Sequence, residues 1–363
     1  MKRKVLHISY GGLGNGGVTS VIMGIVSKLY TEFDFGCVVF SKKCEREIDF
    51  CKYGKLYRLN CYQRGNFFLR LVDLFIRPMI LFLGVYKICR EQHYDVIHCH
   101  NGKDMVFCLL GAKLAHVKKR IAHSHNTKST EKKRLFRRIY DYTFWTFVRF
   151  FATDFVGCSQ QACEDFFKQR EFTIIYNSID LTKFQWHYKQ NKTINFVHVG
   201  RYEYQKNQKF VIEVFEKIIK SKPNSVLRLV GFGNDEKKLR QLVSSKKLDD
   251  AVLFIDGHSA SIPDLFALSN CMIFPSFFEG FGIVLLEAQA SGCYCFASDV
   301  CPPETNVGYM EQYSLSLGAE AWCEKILSHL DSICSDAKIT VQEKLSKFDS
   351  NNISKRYKEL YAN

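Results

Sequence analysis

The sequence predicts an α/β protein built of strand–turn–helix units, and three observations carry that prediction. Cys271 to Phe274 is a short apolar run of the buried-strand kind, Pro275 and Ser276 break it, and Gly282 to Ala290 reads as a helix. The chain opens the same way, with a strand from Val5 to Ser9, a glycine-rich loop from Tyr10 to Gly17 and a helix-like run from Val18 to Leu29. At 363 residues there is room for two domains of common size, each with its own core.

Composition narrows the classes. A hydrophobic content of 47% marks a globular chain. The net charge of +14 favours anionic partners: nucleotides, acidic lipid surfaces or nucleic acid. The basic residues are dispersed and no nucleic-acid motif occurs, so no nucleic acid is expected as a partner. Lys2, Arg3 and Lys4 precede only the short apolar run Val5 to Ile8, too short for a signal peptide, and a cytoplasmic location is expected. The fifteen cysteines then read as reduced, many of them (Cys37, Cys99, Cys158, Cys271, Cys295) in apolar runs where a small buried thiol is ordinary. The longest apolar region, Phe67 to Cys89, is interrupted by Arg70, Asp73, Arg77, Pro78 and Lys87, and a spanning helix needs about 20 nearly uninterrupted apolar residues. It does not read as transmembrane.

In the N-terminal half, Gly12-Leu-Gly14-Asn-Gly-Gly17 fits G-x-G-x-x-G. The strand Cys37 to Phe40 leads into Ser41, Lys42 and Lys43 with no acid at its tip, which argues against a dinucleotide. Glu45, Glu47 and Asp49 could form a cation site but read as a solvated, helix-flanking charge run. No Asp-x-Asp occurs in the chain, so no catalytic metal and no cofactor are expected. Two strands, Asp95 to His100 and Arg120 to His125, end in the pairs His98/His100 and His123/His125. These are zinc-ligand residue types. Alternation nevertheless puts both members of a pair on one side of a strand that a doubly wound sheet covers on both faces. A histidine at a strand's carboxyl end is read instead as a substrate contact. From Lys128 to Phe151, Leu135, Ile139, Tyr142 and Phe147 mix at helical spacing with Lys132, Lys133, Arg134, Arg137, Arg138 and Arg149. Two readings stay open: a core helix with a solvated basic face, and a basic aromatic helix resting on anionic lipid. Phe155 to Ser159 is a further strand before a helix at Gln160, and Lys183 to Thr193, polar and without periodicity, reads as a linker.

In the C-terminal half, the strand Ile194 to Val199 ends in Gly200 and Arg201, and Lys206 follows before a helix from Gln208 to Lys220. A guanidinium and an ammonium at a strand's carboxyl end can clamp a pyrophosphate from two sides. Leu227 to Gly231, with Gly233, and Val252 to Asp256, with His258, are two more strand–turn units. Beyond Phe274, Gly280 and Gly282 let the backbone approach a ligand, and the helix start leaves unpaired N–H groups suited to phosphate. Glu279 sits in that turn, and Glu287 lies roughly 7.5 Å further along the helix, at about 1.5 Å per residue. Cys293, Cys295 and Cys301 lack a fourth zinc ligand and read as buried thiols. Val341 to Tyr361 reads as one amphipathic helix.

Glu279 and Glu287, with seven residues between them in a Gly-Phe-Gly setting, resemble the E-x7-E segment of retaining glycosyltransferases of group 1, family 4, the capsular or exopolysaccharide type. Gly200-Arg201 with Lys206, Gly16-Gly17-Val18, Ala122 to Asn126 and Asn177 to Asp180 fit the same family. The resemblance implies the GT-B fold, two Rossmann-like doubly wound parallel-sheet domains facing a cleft. Residues 1–182 would form the acceptor domain, residues 183–344 the donor domain, and a helix at about 345–363 would pack back on the first.

It also implies roles. Glu279 faces the donor sugar and Glu287 the ribose, while the backbone of Gly280, Phe281, Gly282 and Ile283 meets the diphosphate. Arg201 and Lys206 hold that diphosphate as it leaves. Gly16, Gly17, Gly200 and Gly231 line the donor, His258 lies near the base, and His125 approaches the sugar with His123 and Asn126 nearby. The implied act is retaining, metal-independent transfer from a nucleotide sugar, UDP by family frequency, to a lipid-linked glycan at an anionic membrane surface on the inner face of the plasma membrane. The alternatives are a non-catalytic nucleotide-sugar binding module, or an epimerase or phosphorylase on the same fold. The presence of Glu279 favours the enzyme.

Overall fold

A computed structural model describes residues 2–10, 12–14, 16–40, 45–59, 67–102, 104–128, 135–168, 170–188, 193–330 and 337–363. The chain divides into two compact units, Met1–Ser178 with Ser350–Asn363, and Ile179–Asp349.

The first unit carries strands β1 (Arg3–Ser9), β2 (Phe33–Val39), β3 (Gly54–Arg58), β4 (Val96–His100), β5 (Lys119–Ser124), β6 (Asp154–Gly157) and β7 (Thr173–Ile174). They form one parallel sheet in the order β3-β2-β1-β4-β5-β6-β7. Its helices are α1 (Gly17–Leu29), α2 (Glu47–Cys51), α3 (Phe67–Gln92), α4 (Met105–Leu114), α5 (Leu135–Phe151) and α6 (Gln160–Phe167). Every residue of β4 is buried, as expected where helices cover both faces of a parallel sheet. Leu6, Ile8, Ile97, Cys99, Leu109 and Phe155 belong to one core cluster. Ser159 caps α6, its Oγ accepting from Ala162 N at 3.2 Å. Arg58 forks onto Glu47 at 2.6 and 2.7 Å and Lys52 pairs with Asp49 at 2.8 Å, so this acidic stretch is ion-paired surface.

The second unit carries β8 (Asn195–Val199), β9 (Val226–Gly231), β10 (Val252–Asp256), β11 (Cys271–Phe274), β12 (Tyr294–Ser298) and β13 (Met310–Tyr313), parallel in the order β10-β9-β8-β11-β12-β13. Its helices are α7 (Gln208–Ser221), α8 (Glu236–Ser245), α9 (Ile262–Leu268), α10 (Ile283–Ala290), α11 (Gly318–Leu330) and α12 (Lys338–Leu345). Two core clusters flank the sheet, one around Phe196, Phe215 and Trp322, the other around Phe266, Phe274 and Leu285. The stretch read as a linker is partly packed: Trp186 is buried and its ring lies 4.9 Å from that of Tyr309.

The C-terminal segment departs from the single helix read over Val341 to Tyr361. After α12 the backbone tightens into a 3₁₀ turn at Ser346–Phe348, and α13 (Ser350–Ala362) begins afresh. The break has a packing cause. Phe348 is fully buried, its ring 5.7 Å from Phe281, and its carbonyl accepts from Ile179 N at 2.9 Å. α13 belongs to the first unit, where it packs on α1 and Arg3 donates to the Tyr361 carbonyl at 2.6 Å. Among the described residues no helix is long and apolar enough to cross a membrane.

Candidate active site

In the second unit, the carboxyl ends of β8, β9 and the loop after β10 bring three glycines together. A Cβ on Gly231 would lie 2.1 Å from the Gly200 carbonyl oxygen, and one on Gly257 would lie 3.0 Å from Gly231 Cα. Glycine at 231 is therefore demanded by backbone packing as well as by any ligand.

After Gly200 the chain makes a 3₁₀ turn, Tyr204–Lys206, and Asn207 takes a left-handed conformation (φ 53°) before α7. Hydrogen bonds stitch this loop to the turn after β11. Phe277 N donates to the Gln205 carbonyl at 2.9 Å, Gln205 Nε2 to the Phe278 carbonyl at 2.9 Å, and Asn207 Nδ2 to the Pro275 carbonyl at 3.1 Å. The stitching sets Lys206 Nζ 2.5 Å from Glu279 Oε2, with the ammonium 4.6 Å from the centre of the Phe274 ring. Both side chains are largely buried, and each sets an opposite charge against the other. Arg201 is placed differently. Its side chain is 63% exposed and pairs with Glu203 at 2.9 Å.

Beneath the loop, His198 and Gln208 form a support that the sequence alone did not single out. His198 Nδ1 lies 2.9 Å from the Ile273 carbonyl, which makes it the protonated nitrogen, and Nε2 accepts from Gln208 Nε2 at 3.2 Å. Gln208 also donates to the Arg201 carbonyl at 2.8 Å. Burial pushes the imidazole down to about 4, so it is neutral at physiological pH. The signal was present as the pattern His198, Gln208 around Gly200-Arg201, but a lone strand histidine carries no directional information.

Gly282, at φ 81°, precedes α10 without a side-chain cap on the helix start. Phe281 is buried and anchors the turn. Glu287, one and a half turns along α10, is partly covered, and desolvation raises its carboxyl to about 7 against the opposing pull of Lys183. His258 is exposed and stacks on Phe232 with ring centres 3.8 Å apart.

In the first unit, Gly16 is the N-cap of α1 and Gly17 its first residue, again without a side-chain cap. A Cβ at either would meet nothing within 4 Å. Folding does not require glycine there, and the open helix start is available to a ligand. His125 is buried, its backbone N–H donating to Asn101 Oδ1 at 2.6 Å; His123 is also buried, and Asn126 is exposed. On α5, Ile139, Tyr142, Phe147 and Phe150 are exposed, with Lys168 over Tyr142 and Lys113 over Phe150. Lys132, Lys133 and Arg134 and the side chains of Arg137 and Arg138 lie outside the described residues, as do Ser41, Lys42 and Lys43. Cys293, Cys295 and Cys301 are buried.

Two parallel-sheet Rossmann-like units with this loop and helix-start arrangement define a glycosyltransferase of the GT-B class. Residues 181–331 match the family model for glycosyl transferases group 1, and residues 16–183 match glycosyltransferase family 4. The chain is thus a member of the group 1, family 4 glycosyltransferases. It is 23% identical over 370 residues to the capsular polysaccharide biosynthesis glycosyltransferase CapH of Staphylococcus aureus, covering 99% of this chain and 98% of that protein. It is 26% identical over 250 residues to the UDP-Gal:alpha-D-GlcNAc-diphosphoundecaprenol alpha-1,3-galactosyltransferase of Escherichia coli, covering 62% of this chain and 63% of that one. The Anabaena HepE structure, in complex with UDP and glucose, superposes with a TM-score of 0.78 at 17% identity over 99% of both chains.

Proposed function

We propose that the chain transfers a sugar from a nucleotide-diphosphate sugar to an acceptor hydroxyl with retained configuration and without a divalent ion on the diphosphate. The observation that carries this reading is the buried Lys206–Glu279 pair, which joins a cation suited to the departing diphosphate to a carboxylate suited to the sugar hydroxyls. Lys206, Arg201 and the uncapped start of α10 stabilise the negative charge that develops on the leaving group, the term that generally dominates such chemistry. Positive charge grows meanwhile at the anomeric carbon. Glu279 orients the sugar, Glu287 accepts from the ribose, and the leaving phosphate takes the acceptor proton. No covalent nucleophile is invoked.

UDP is the favoured nucleotide, supported by the UDP complex of HepE and by the UDP-Gal donor named for the Escherichia coli relative. That relative's undecaprenol-linked acceptor supports a lipid-linked glycan here as well. The exposed aromatics of α5 and the net charge of +14 suit an anionic membrane surface beside such an acceptor. The test is incubation of the full chain with UDP-sugars and a membrane lipid extract, with no added Mg2+ or Mn2+, followed by NMR of the new linkage. Transfer giving the donor's own anomeric configuration supports the reading. An inverted product, or turnover only with added divalent metal, overturns it.

A further inference from the structure

Five histidines gather in the interior of the first unit: His7 on β1, His98 and His100 on β4, and His123 and His125 at the end of β5. All five are buried and share one face of the sheet, with Tyr357 and Tyr361 of α13 against them. Their rings form two hydrogen-bonded files. In one, His7 Nδ1 lies 2.9 Å from His100 Nε2, and His100 Nδ1 lies 2.9 Å from His125 Nε2. In the other, the Tyr361 hydroxyl lies 2.7 Å from His98 Nδ1, and His98 Nε2 lies 3.0 Å from His123 Nδ1.

Both files end on buried polar atoms with no protein partner: His7 Nε2, His125 Nδ1 and His123 Nε2. Asn177 Oδ1, beside His125, and the Tyr357 hydroxyl, beside His98 and His123, are also unpartnered. Five of the eight such atoms among the described residues thus surround one cluster. A buried polar atom left unpaired costs about 1–3 kcal/mol, so this concentration points to an occupant. One ring nitrogen from each of His100, His123 and His125 falls within 4.8 Å of the other two, and the same holds for His7, His98 and His100.

We propose that this cluster binds one divalent late-transition metal ion of the zinc type through His100, His123 and His125. Neutral imidazole is the preferred donor for such ions, and three imidazoles with one position left over form a known donor set. The proton positions accommodate it. His123 ligates through its unpartnered Nε2 and keeps Nδ1–H for His98, which in turn donates to the Tyr361 hydroxyl, the kind of outer support that fixes a ligand's tautomer. His100 ligates through Nδ1 and keeps Nε2–H for His7. The ion replaces the proton shared by His100 Nδ1 and His125 Nε2, and that proton moves to His125 Nδ1, next to the unpartnered Asn177 Oδ1. No proton need leave the cluster. At Zn–N distances of about 2.0–2.1 Å a tetrahedral ion spaces its ligand nitrogens roughly 3.3 Å apart, so the His100–His125 contact opens by a few tenths of an ångström and His123, whose nitrogen lies within 4.8 Å of both, closes onto the ion.

The strand alternation that set zinc aside in the sequence reading is what places all four paired histidines on one face, and His7 joins them from a neighbouring strand. The ion takes no part in the transfer and its binding is read without any nucleotide; as a ligand His125 has both ring nitrogens engaged, by the ion and by Asn177, and keeps none for the sugar contact that the family resemblance implies. It would fix the tautomer of His125.

The experiment uses the full chain without a polyhistidine tag, stripped of metal and titrated with Zn2+ and with Co2+. The expected result is one equivalent bound, a higher thermal midpoint with Zn2+, and the visible bands of a tetrahedral nitrogen-rich Co2+ site. His100→Gln and His123→Asn should each weaken binding by about tenfold or more, and His187→Ala, an exposed histidine of the second unit, should not. The Co2+ spectrum of the unsubstituted chain reports the ligand set even if a variant fails to fold. Absence of stoichiometric binding, an octahedral Co2+ spectrum, or unchanged affinity in the folded His100 and His123 variants would overturn the proposal.

Discussion

At the scale of single residues, Lys206 and Glu279 have the most at stake. Removing either partner of a largely buried ion pair takes away the other's nearest opposite charge, which costs about 3 kcal/mol. Lys206→Ala should therefore lower stability in urea by that order as well as abolish turnover. The Lys206→Ala/Glu279→Ala double variant should be less destabilised than the sum of the two, and strict additivity would deny the coupling. Glu287 offers a pH test. Burial raises its carboxyl to about 7, so if it accepts from the ribose as proposed, donor binding should strengthen as pH rises from 6 to 8. KM for the donor should fall over that interval in the unsubstituted enzyme and stay flat in Glu287→Gln. A parallel pH dependence in both would assign the effect elsewhere. Glu279 and Lys206 could be singled out in sequence because each sits in a local pattern of glycines, a strand end and a helix start. Their 2.5 Å contact could not, because 73 residues separate them and strand order alone brings β8 beside β11.

At the scale of elements, the Gly200–Asn207 loop is positioned by what lies under it. His198 and Gln208 hold the Arg201 carbonyl, and Gln208→Ala should raise KM for the donor by several-fold while leaving the helix content of the chain unchanged. His198 also couples this support to acid. Its folded pKa of about 4 is below the ordinary 6.5, so the unfolded chain binds the extra proton first and stability is lost as pH falls below 6.5. The loss is about 1.4 kcal/mol per pH unit, roughly 3 kcal/mol by pH 4, and His198→Gln should remove that share of the slope in urea titrations. Gly231→Ala would press its methyl against the Gly200 carbonyl, and an overpacking cost of about 1–3 kcal/mol should appear as a lower urea midpoint. Element type was legible where apolar runs met glycine or proline. The C-terminal helix was misjudged as continuous because periodicity carries through 346–349, whereas burial of Phe348 against Phe281 is a long-range contact that no local pattern reports.

At the scale of the whole molecule, two parallel sheets share one logic: ligand chemistry gathers where strands end. The alternation of strand, glycine turn and helix made the α/β class readable from sequence, and the E-x7-E and Gly-Arg…Lys segments led to the family. Four of the clustered histidines were visible as two strand-end pairs, but His7 was not, because β1 lies beside β4 in the sheet although two strands separate them in the chain. The proposed function requires that the Gly200–Lys206 loop and the Glu279–Glu287 segment hold a nucleoside diphosphate. Calorimetric titration of UDP into the full chain, beside Arg201→Ala and Lys206→Ala, tests it most directly. Arg201 is exposed, so its substitution should spare the fold, and loss of its charge should cost about 1.5 kcal/mol, roughly tenfold in Kd, with Lys206→Ala at least as weak. Saturable binding by the unsubstituted chain, weakened in both variants, is the predicted result; equal affinity in all three, or no binding of any nucleoside diphosphate, would contradict it.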